Sequence, residues 1–378
     1  MTRNDELPSY RELPVRPDAP PGSSWGLWGD DDQLGTLNLL TDERTQRAAA
    51  LVRRGAVFPL NLPLHEPQPH LAWRTPPTHH ILHVGHEARG IQPGGADDPS
   101  TGLIDRDDYI DGLWLQAGSQ WDSLSHVRHR QHGNYNGIAD QEIHGGPGTK
   151  LGTDQWARRA IVGRGVLVDV ARHLARIGRD YDPNSAFEVT VDDLEGTLAA
   201  QGLEVEDGDI LVLHTGWMQR FLDADADERK RMIAWETIHA PGLEPSERMV
   251  EWLWDHHVAA VASDTAGVEA LSPDPEFFLH LALLPLLGMP LGEFWVRAPS
   301  RATARTTGST RACSSRSRST SGAGSAPHPR RSPSSRPGTA KASPWDADTE
   351  AGATLRLDPA WTARRAGERL RASKRLRQ

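Results

Sequence analysis

Apolar side chains all but stop at Val296. Residues 297–378 contain no Val, Ile, Phe, Met or Tyr, and Ser, Arg, Ala, Thr, Gly and Pro dominate them. Such a segment cannot bury enough apolar surface to offset the entropy of ordering it. Any core must therefore come from residues 1–297, which are long enough for one large core. Charge changes at the same place. From Ala298 onward there are 17 Lys and Arg against 5 Asp and Glu, a balance of +12; the whole chain carries −9, so the body carries −21. An acidic body suits neither nucleic acid nor an anionic membrane.

No run of about 18 apolar residues exists to span a membrane. The stretch Met1–Pro21 is polar and Pro-rich, without the apolar centre of a signal peptide. A cytoplasmic protein is expected. The single cysteine, Cys313, excludes an intrachain disulfide and a thiolate metal site. Any metal must use oxygen and nitrogen ligands.

Within the body, strand and helix patterns interleave, which predicts a mixed α/β architecture. Thr41 caps a predicted helix to about Arg54, with Asp42 and Glu43 in its first turn. Residues 56–118 are irregular and rich in Pro and His, and end in a predicted strand over Tyr109–Gln116. Further buried strands are predicted at Ala160–Val170, Asp209–His214 and Val258–Ala262. Helices are predicted from Thr190 to Leu198, over Asp227–Ile238 and Glu247–His256, and over Phe277–Leu287, the last stopped by Gly288.

The chemistry concentrates in residues 116–126, Gln-Ala-Gly-Ser-Gln-Trp-Asp-Ser-Leu-Ser-His. Gln116, Gln120, Asp122 and His126 share even parity, so an extended backbone would throw them to one face. One carboxylate, two amide oxygens and an imidazole can hold a divalent ion and move a proton beside it. Farther on, His280 lies in an apolar helix and Glu293 follows 13 residues later in another apolar stretch. A buried carboxylate without a partner is costly, and a shared metal would satisfy both groups.

The 116–126 segment resembles the signature of the cyclase-like metal hydrolases, the family of bacterial kynurenine formamidase and isatin hydrolase: His-x-Gly-Thr-His-x-Asp-x-Pro-x-His. Gly118, Asp122 and His126 match it. Ser119 stands for Thr, Leu124 replaces the proline, and Gln116 and Gln120 occupy two positions of metal-binding histidines. Long members often carry a Gly-Thr-Gln-Trp-Asp variant, which this chain resembles. The likeness spans roughly residues 24–296, with Trp25-Gly-Leu-Trp-Gly-Asp, Leu34-Gly-Thr-Leu-Asn-Leu-Leu-Thr, Tyr135-Asn-Gly, Ser263-Asp-Thr, His280 and Gly292-Glu293.

The resemblance implies a swivelling β/β/α fold, a mixed sheet with flanking helices. It implies metal ligation by Asp122, His280 and Glu293, with Gln120 and Gln116 as weaker ligands, and a proton-shuttling role for His126. The cofactor would be one divalent ion, Mn²⁺ or Zn²⁺. Neutral amides in place of imidazoles shift the preference from Zn²⁺ toward Mn²⁺. The implied reaction is hydrolysis of an amide or ester in a small aryl or cyclic substrate, with arylformamidase chemistry, N-formylkynurenine to kynurenine, as the most direct form. A cyclase or dehydratase of secondary metabolism, or a non-catalytic small-molecule binding protein, are the alternatives. The partner is a small molecule, with no nucleic acid and no membrane, and self-association is expected.

Trp25, His80 and Asp264 are candidate substrate contacts. Trp25 flanks a Gly-rich turn, with a core role as its alternative. His80 belongs to a His-rich stretch (His65, His70, His79, His80, His83, His86) expected to border the site mouth. Asp264 sits at a strand end, where it could also orient a ligand. The organisation is therefore a flexible arm over 1–23, a metal-hydrolase domain over 24–297 and a disordered basic tail over 298–378. That tail is either natural or a reading-frame slip near codon 297. The abrupt switch and the lack of closing strands after Glu293 favour the slip.

Overall fold

The computed structural model describes residues 7–84, 105–273, 277–296 and 353–357. The chain divides into two compact units, 1–297 with 350–378, and 298–349. The second unit lies wholly outside the described residues, and so do His86 and most of the basic tail.

A mixed sheet organises the first unit. Its strands are β3 (Gln120–Asp122), β4 (Ile161–Asp169), β6 (Ile210–His214), β8 (Ala260–Ser263), β9 (Leu291–Glu293) and β10 (Ala353–Leu357), in the order β10-β4-β6-β8-β9-β3. The run β4-β6-β8-β9 is parallel, and β3 and β10 close the two edges antiparallel. All four residues of β8 are buried, and Ile210, Leu211 and Leu213 of β6 are buried too. Parallel strands covered on both faces read as continuous apolar runs for this reason. Strand β10 forms in the expected tail. Its ladder uses only backbone N–H and C=O groups, so apolar side chains are not required for it.

Two short pairs lie apart from this sheet. An antiparallel hairpin joins β1 (Thr78–Val84) to β2 (Asp105–Asp111), and β5 (Glu188–Val189) pairs in parallel with β7 (Gly242–Leu243). The strand predicted at Tyr109–Gln116 is displaced. Strand β2 ends at Asp111, and Leu115–Ala117 turns as a 3-10 helix.

The helices are α1 (Asp42–Ala50), α2 (Thr153–Arg159), α3 (Val170–Arg176), α4 (Val191–Gln201), α5 (Trp217–Asp223), α6 (Ala226–Ile233), α7 (Glu247–Asp255) and α8 (Leu279–Ala282). The caps are local. Thr41 accepts from the Arg44 amide, Thr190 and Asp193 form a capping box, and Ser246 accepts from Met249. Helix α7 buries Met249, Val250, Trp252, Leu253 and Trp254. The apolar helix predicted over Phe277–Leu287 is only four α-helical residues, followed by a single π turn, Leu283–Leu287, and a left-handed Gly288. Among the described residues no helix is long and apolar enough to cross a membrane.

The N-terminal segment fastens that π turn. Ser24 donates from its amide to Leu286 O (3.0 Å) and from its hydroxyl to Leu287 O (3.0 Å). Trp25 donates from Nε1 to Pro285 O at 2.7 Å. Thr36 N donates to Gly288 O at 2.9 Å. Gly35 has φ +59, and a Cβ there would lie 1.8 Å from Gly288 O. Only glycine allows that approach. Asn136 accepts from Gly26 N at 2.8 Å and donates to Gly29 O at 2.9 Å, and Tyr135 donates to Asp32 Oδ2 at 2.9 Å. The Tyr-Asn-Gly motif thus shapes the loop that holds the turn.

Candidate metal centre

Strands β3 and β9 set the frame. Their antiparallel register places Gln120 opposite Glu293 and Asp122 opposite Leu291. Gln120 and Asp122, two apart, share a face, and a directly opposed residue shares it too. Gln120 Nε2 accordingly donates to Glu293 Oε2 at 2.8 Å. The pair is braced from behind. Trp295 Nε1 donates to Gln120 O at 3.1 Å and its ring meets Trp121 edge-on at 4.7 Å. Ser119 accepts from Leu62 N at 2.8 Å and donates to Phe294 O at 2.5 Å.

Helix α8 adds the third group. His280 Nε2 lies 3.2 Å from Glu293 Oε1 and 3.6 Å from Asp122 Oδ2. Donor atoms of Asp122, His280 and Glu293 all lie within 4.8 Å of one another, and all three residues are buried. Asp122 is 0 % exposed, and neither of its carboxylate oxygens has a hydrogen-bond partner. A buried anion in that state is expensive. Two carboxylates and an imidazole converging on one point are a divalent-cation donor set, and the unsatisfied Asp122 oxygens are what such an ion would occupy. The residues present therefore fit the ion. Their oxygen-rich character suits Mn²⁺ at least as well as Zn²⁺.

Sequence reasoning missed one member. Glu269, 0 % exposed, accepts from His280 Nδ1 at 2.8 and 2.9 Å through its two oxygens. A signal existed: Glu269 stands alone between apolar residues in Val268-Glu-Ala-Leu, the same pattern that marks Glu293. The Phe278 ring stacks on that of His280 at 4.7 Å and 11°.

The electrostatics follow from this crowding. Burial pushes the Glu293 carboxyl up to about 7, with the Asp122 charge adding to it and His280 opposing. Burial works against the charged form of His280. The Glu269 charge, the nearby Asp122 carboxylate and the hydrogen bonds to Glu269 and Glu293 outweigh it and hold the imidazolium well above its usual range. His126 moves the other way. Burial lowers it, the Asp122 charge opposes, and His280 and Arg74 lower it further.

His126 sits at the mouth. Its Nε2 is 3.8 Å from Asp122 Oδ1 and its side chain is 28 % exposed. It arrives there by a turn, closed by His126 N donating to Ser123 O at 2.9 Å. The extended face expected for residues 116–126 exists only over β3. Gln116 lies in the 3-10 turn with φ −88 and ψ 15 and makes no hydrogen bond to the cluster. Gln120 keeps its Oε1 buried and unpartnered, so that oxygen remains available to an ion.

The expected substrate contacts lie elsewhere. Trp25 is a core residue bonded to Pro285 O. Its indole N–H caps a carbonyl of the π turn. His80 stacks on Tyr109 at 4.4 Å and pairs with Asp111 at 3.2 Å on the hairpin. Asp264 is buried and accepts from Thr215 N (2.7 Å), Thr215 Oγ1 (2.7 Å) and Gly216 N (2.8 Å). Its oxygens are used to fasten the start of α5, and it reaches none of the three clustered ligands.

Comparison with known proteins bears on the family and the fold. The family model described as "Putative cyclase" matches residues 59–270. A crystal structure of a novel cyclase is similar at 32 % identity and TM-score 0.62, covering 75 % of this chain and 89 % of that one. Isatin hydrolase A from Labrenzia aggregata, bound to benzyl benzoate, shows 14 % identity, TM-score 0.36 and coverage of 68 % and 87 %. Isatin hydrolase A from Ralstonia solanacearum shows 18 %, 0.36, 64 % and 75 %. No curated protein matches the sequence. The mixed sheet with flanking helices is the fold expected from the resemblance, and more than half of the sequence fits the family model: this chain belongs to the cyclase family.

Proposed function

We propose that this protein is a metal-dependent hydrolase of an amide or ester bond in a small aryl or cyclic substrate. One observation carries the reading: Asp122 is fully buried with both oxygens unpartnered, beside His280 and Glu293, with a partly exposed His126 next to it. Asp122, His280 and Glu293 would hold the ion, with Gln120 Oε1 in reserve. When bound, a divalent ion supplies Lewis acidity, which activates water and polarises a carbonyl.

The remaining steps belong to the side chains. Burial favours the neutral form of His126, so its Nε2 can accept a proton from attacking water. It then returns that proton to the departing nitrogen or oxygen. Its position suits this role, because 3.8 Å from Asp122 Oδ1 places it beside a ligand while its side chain remains 28 % exposed. Gln120 and the β3–β9 ladder fix Glu293. Phe278 stacks on the His280 ring.

The finer reading is an arylformamidase-like reaction, opening N-formylkynurenine to kynurenine. A second reading, ring closure or dehydration at the same ion, is favoured by the likeness to a solved cyclase at 32 % identity. Elemental analysis of protein purified without chelator, with turnover of formanilides and aryl esters, tests both. Hydrolysis abolished by chelator and restored by Mn²⁺ is expected. A metal-bearing protein that leaves every such amide and ester intact favours the second reading. A metal-free protein indifferent to chelators would sink both.

A further inference from the structure

We propose that Glu269 is a positioning residue. It holds His280 with its proton on Nδ1, so that the Nε2 lone pair faces Asp122 and Glu293, and it sets the affinity of that site for a divalent cation. This role rests on the metal-dependent reading above. The geometry is specific. Both Glu269 oxygens lie within hydrogen-bond reach of Nδ1, at 2.8 and 2.9 Å, and Oε1 also accepts from the His280 amide at 3.3 Å. The ring and the first turn of α8 are thus gripped by the same carboxylate. Glu269 is 0 % exposed and His280 only 4 %. His280 Nδ1 lies 2.8 Å from Glu269 Oε1.

The backbone that carries Glu269 is itself clamped. Bridges join Leu243 to Glu269 itself and Ala240 to Leu271, two positions further on. Ala270 N donates to Leu243 O at 2.9 Å. A Cβ on Gly242 would lie 2.2 Å from the Glu269 carbonyl carbon. The segment Ala240-Pro-Gly-Leu243 is therefore a support for this carboxylate. An imidazole that donates its far N–H to an ionised carboxylate is a fixed tautomer and a more basic ligand.

The charge count agrees. Asp122, Glu269 and Glu293 are three buried acids around one imidazole. With all three ionised and His280 neutral, a divalent ion brings the group from −3 to −1.

The test uses the full chain stripped of metal, titrated with Zn²⁺ against a competing chelator. Wild type is expected to bind one Zn²⁺. Glu269→Gln keeps the shape and removes the charge, and is expected to weaken binding by about 10–100-fold at unchanged stoichiometry. Equal affinities in wild type and variant overturn the role while leaving the metal reading intact. A wild type that binds no Zn²⁺ overturns both. A second measurement needs no variant. In Zn²⁺-loaded wild type with ¹⁵N-labelled histidine, His280 is expected to carry its proton on Nδ1 and none on Nε2. The opposite tautomer overturns the proposal even if Glu269→Gln does not fold.

Discussion

Asp122 and His126 are four residues apart and do different work, and single substitutions separate them. Asp122→Ala is expected to lose both metal and turnover, because the neutral amide of Gln120 cannot replace a buried charged ligand. His126→Ala is expected to keep the metal and lose turnover by about 10²–10⁴-fold, the range for one general acid/base. Metal content and kcat measured on the same samples decide it. If His126→Ala sheds the ion as fully as Asp122→Ala, His126 is a ligand and the assigned roles are wrong. The pH profile adds a check. The lowered pKa of His126 means that its base form survives below pH 6.5, so the acid limb of kcat should lie below the ordinary histidine range.

Metal removal should also reverse the pH response of stability. Glu293, raised to about 7, holds its proton more tightly folded than unfolded. Its contribution is present below its unfolded value near 4.5 and is lost as pH rises through about 7. His280, also raised, contributes below its unfolded value near 6.5 and loses that as pH rises through its folded value. Both signs agree: the metal-free protein should melt at lower temperature as pH climbs from about 5 to 8. Ion affinity should rise over the same span, because the ligands must shed protons to bind. Thermal melts at several pH values, with and without Mn²⁺, measure this. A metal-free melting temperature that rises with pH would contradict it.

At the level of elements, the arrangement depends on the π turn and on what fastens it. Gly35→Ala forces a Cβ to within 1.8 Å of Gly288 O at φ +59, where any side chain is strained by about 1–3 kcal/mol. The expected result is a lower melting temperature together with weaker metal binding, since the displaced turn follows directly on the His280 helix. Full metal affinity in a folded Gly35→Ala would show that the latch is not needed. This element also marks the limit of what the sequence reveals. The apolar run from Phe277 to Leu287 announces a helix, and Gly288 its end. The change from α to π does not show, because it is set by bonds from Ser24 and Trp25, some 260 positions away. Residues 116–126 show the same division. Their composition points to a metal, while the turn at Ser123–His126 and the 3-10 turn at Gln116 are not encoded in side-chain parity. Glu269 escaped because its partner is set by the pairing of Gly242–Leu243 beside it, which no local spacing announces.

At the level of the whole molecule, the site lies at one edge of the sheet and the tail strand at the other. In the order β10-β4-β6-β8-β9-β3, three strands, β4, β6 and β8, separate the pair β3–β9 from β10. Truncation after residue 297 should therefore leave kcat and metal content unchanged, with a modest loss of stability as β4 becomes an exposed edge. A truncated chain that folds and yet cannot bind metal would place part of the site in the tail. The acidic balance of the body, −21 against a tail of +12, also predicts that truncation shifts the isoelectric point downward without altering catalysis.

The latch between Ser24–Thr36 and Leu283–Gly288 has a consequence for how the protein comes into being. The contacts that hold the His280 helix join residues about 260 apart, and closing so long a loop is slow and comes late. During synthesis, Asp122 emerges well before His280 and Glu293, and the arm that braces them has been waiting since the start. The metal site is thus completed only when nearly the whole body is out of the ribosome. Ion uptake would then report a finished fold, and a chain stopped shortly before Leu291 would carry β3, β4, β6 and β8 without a complete donor set.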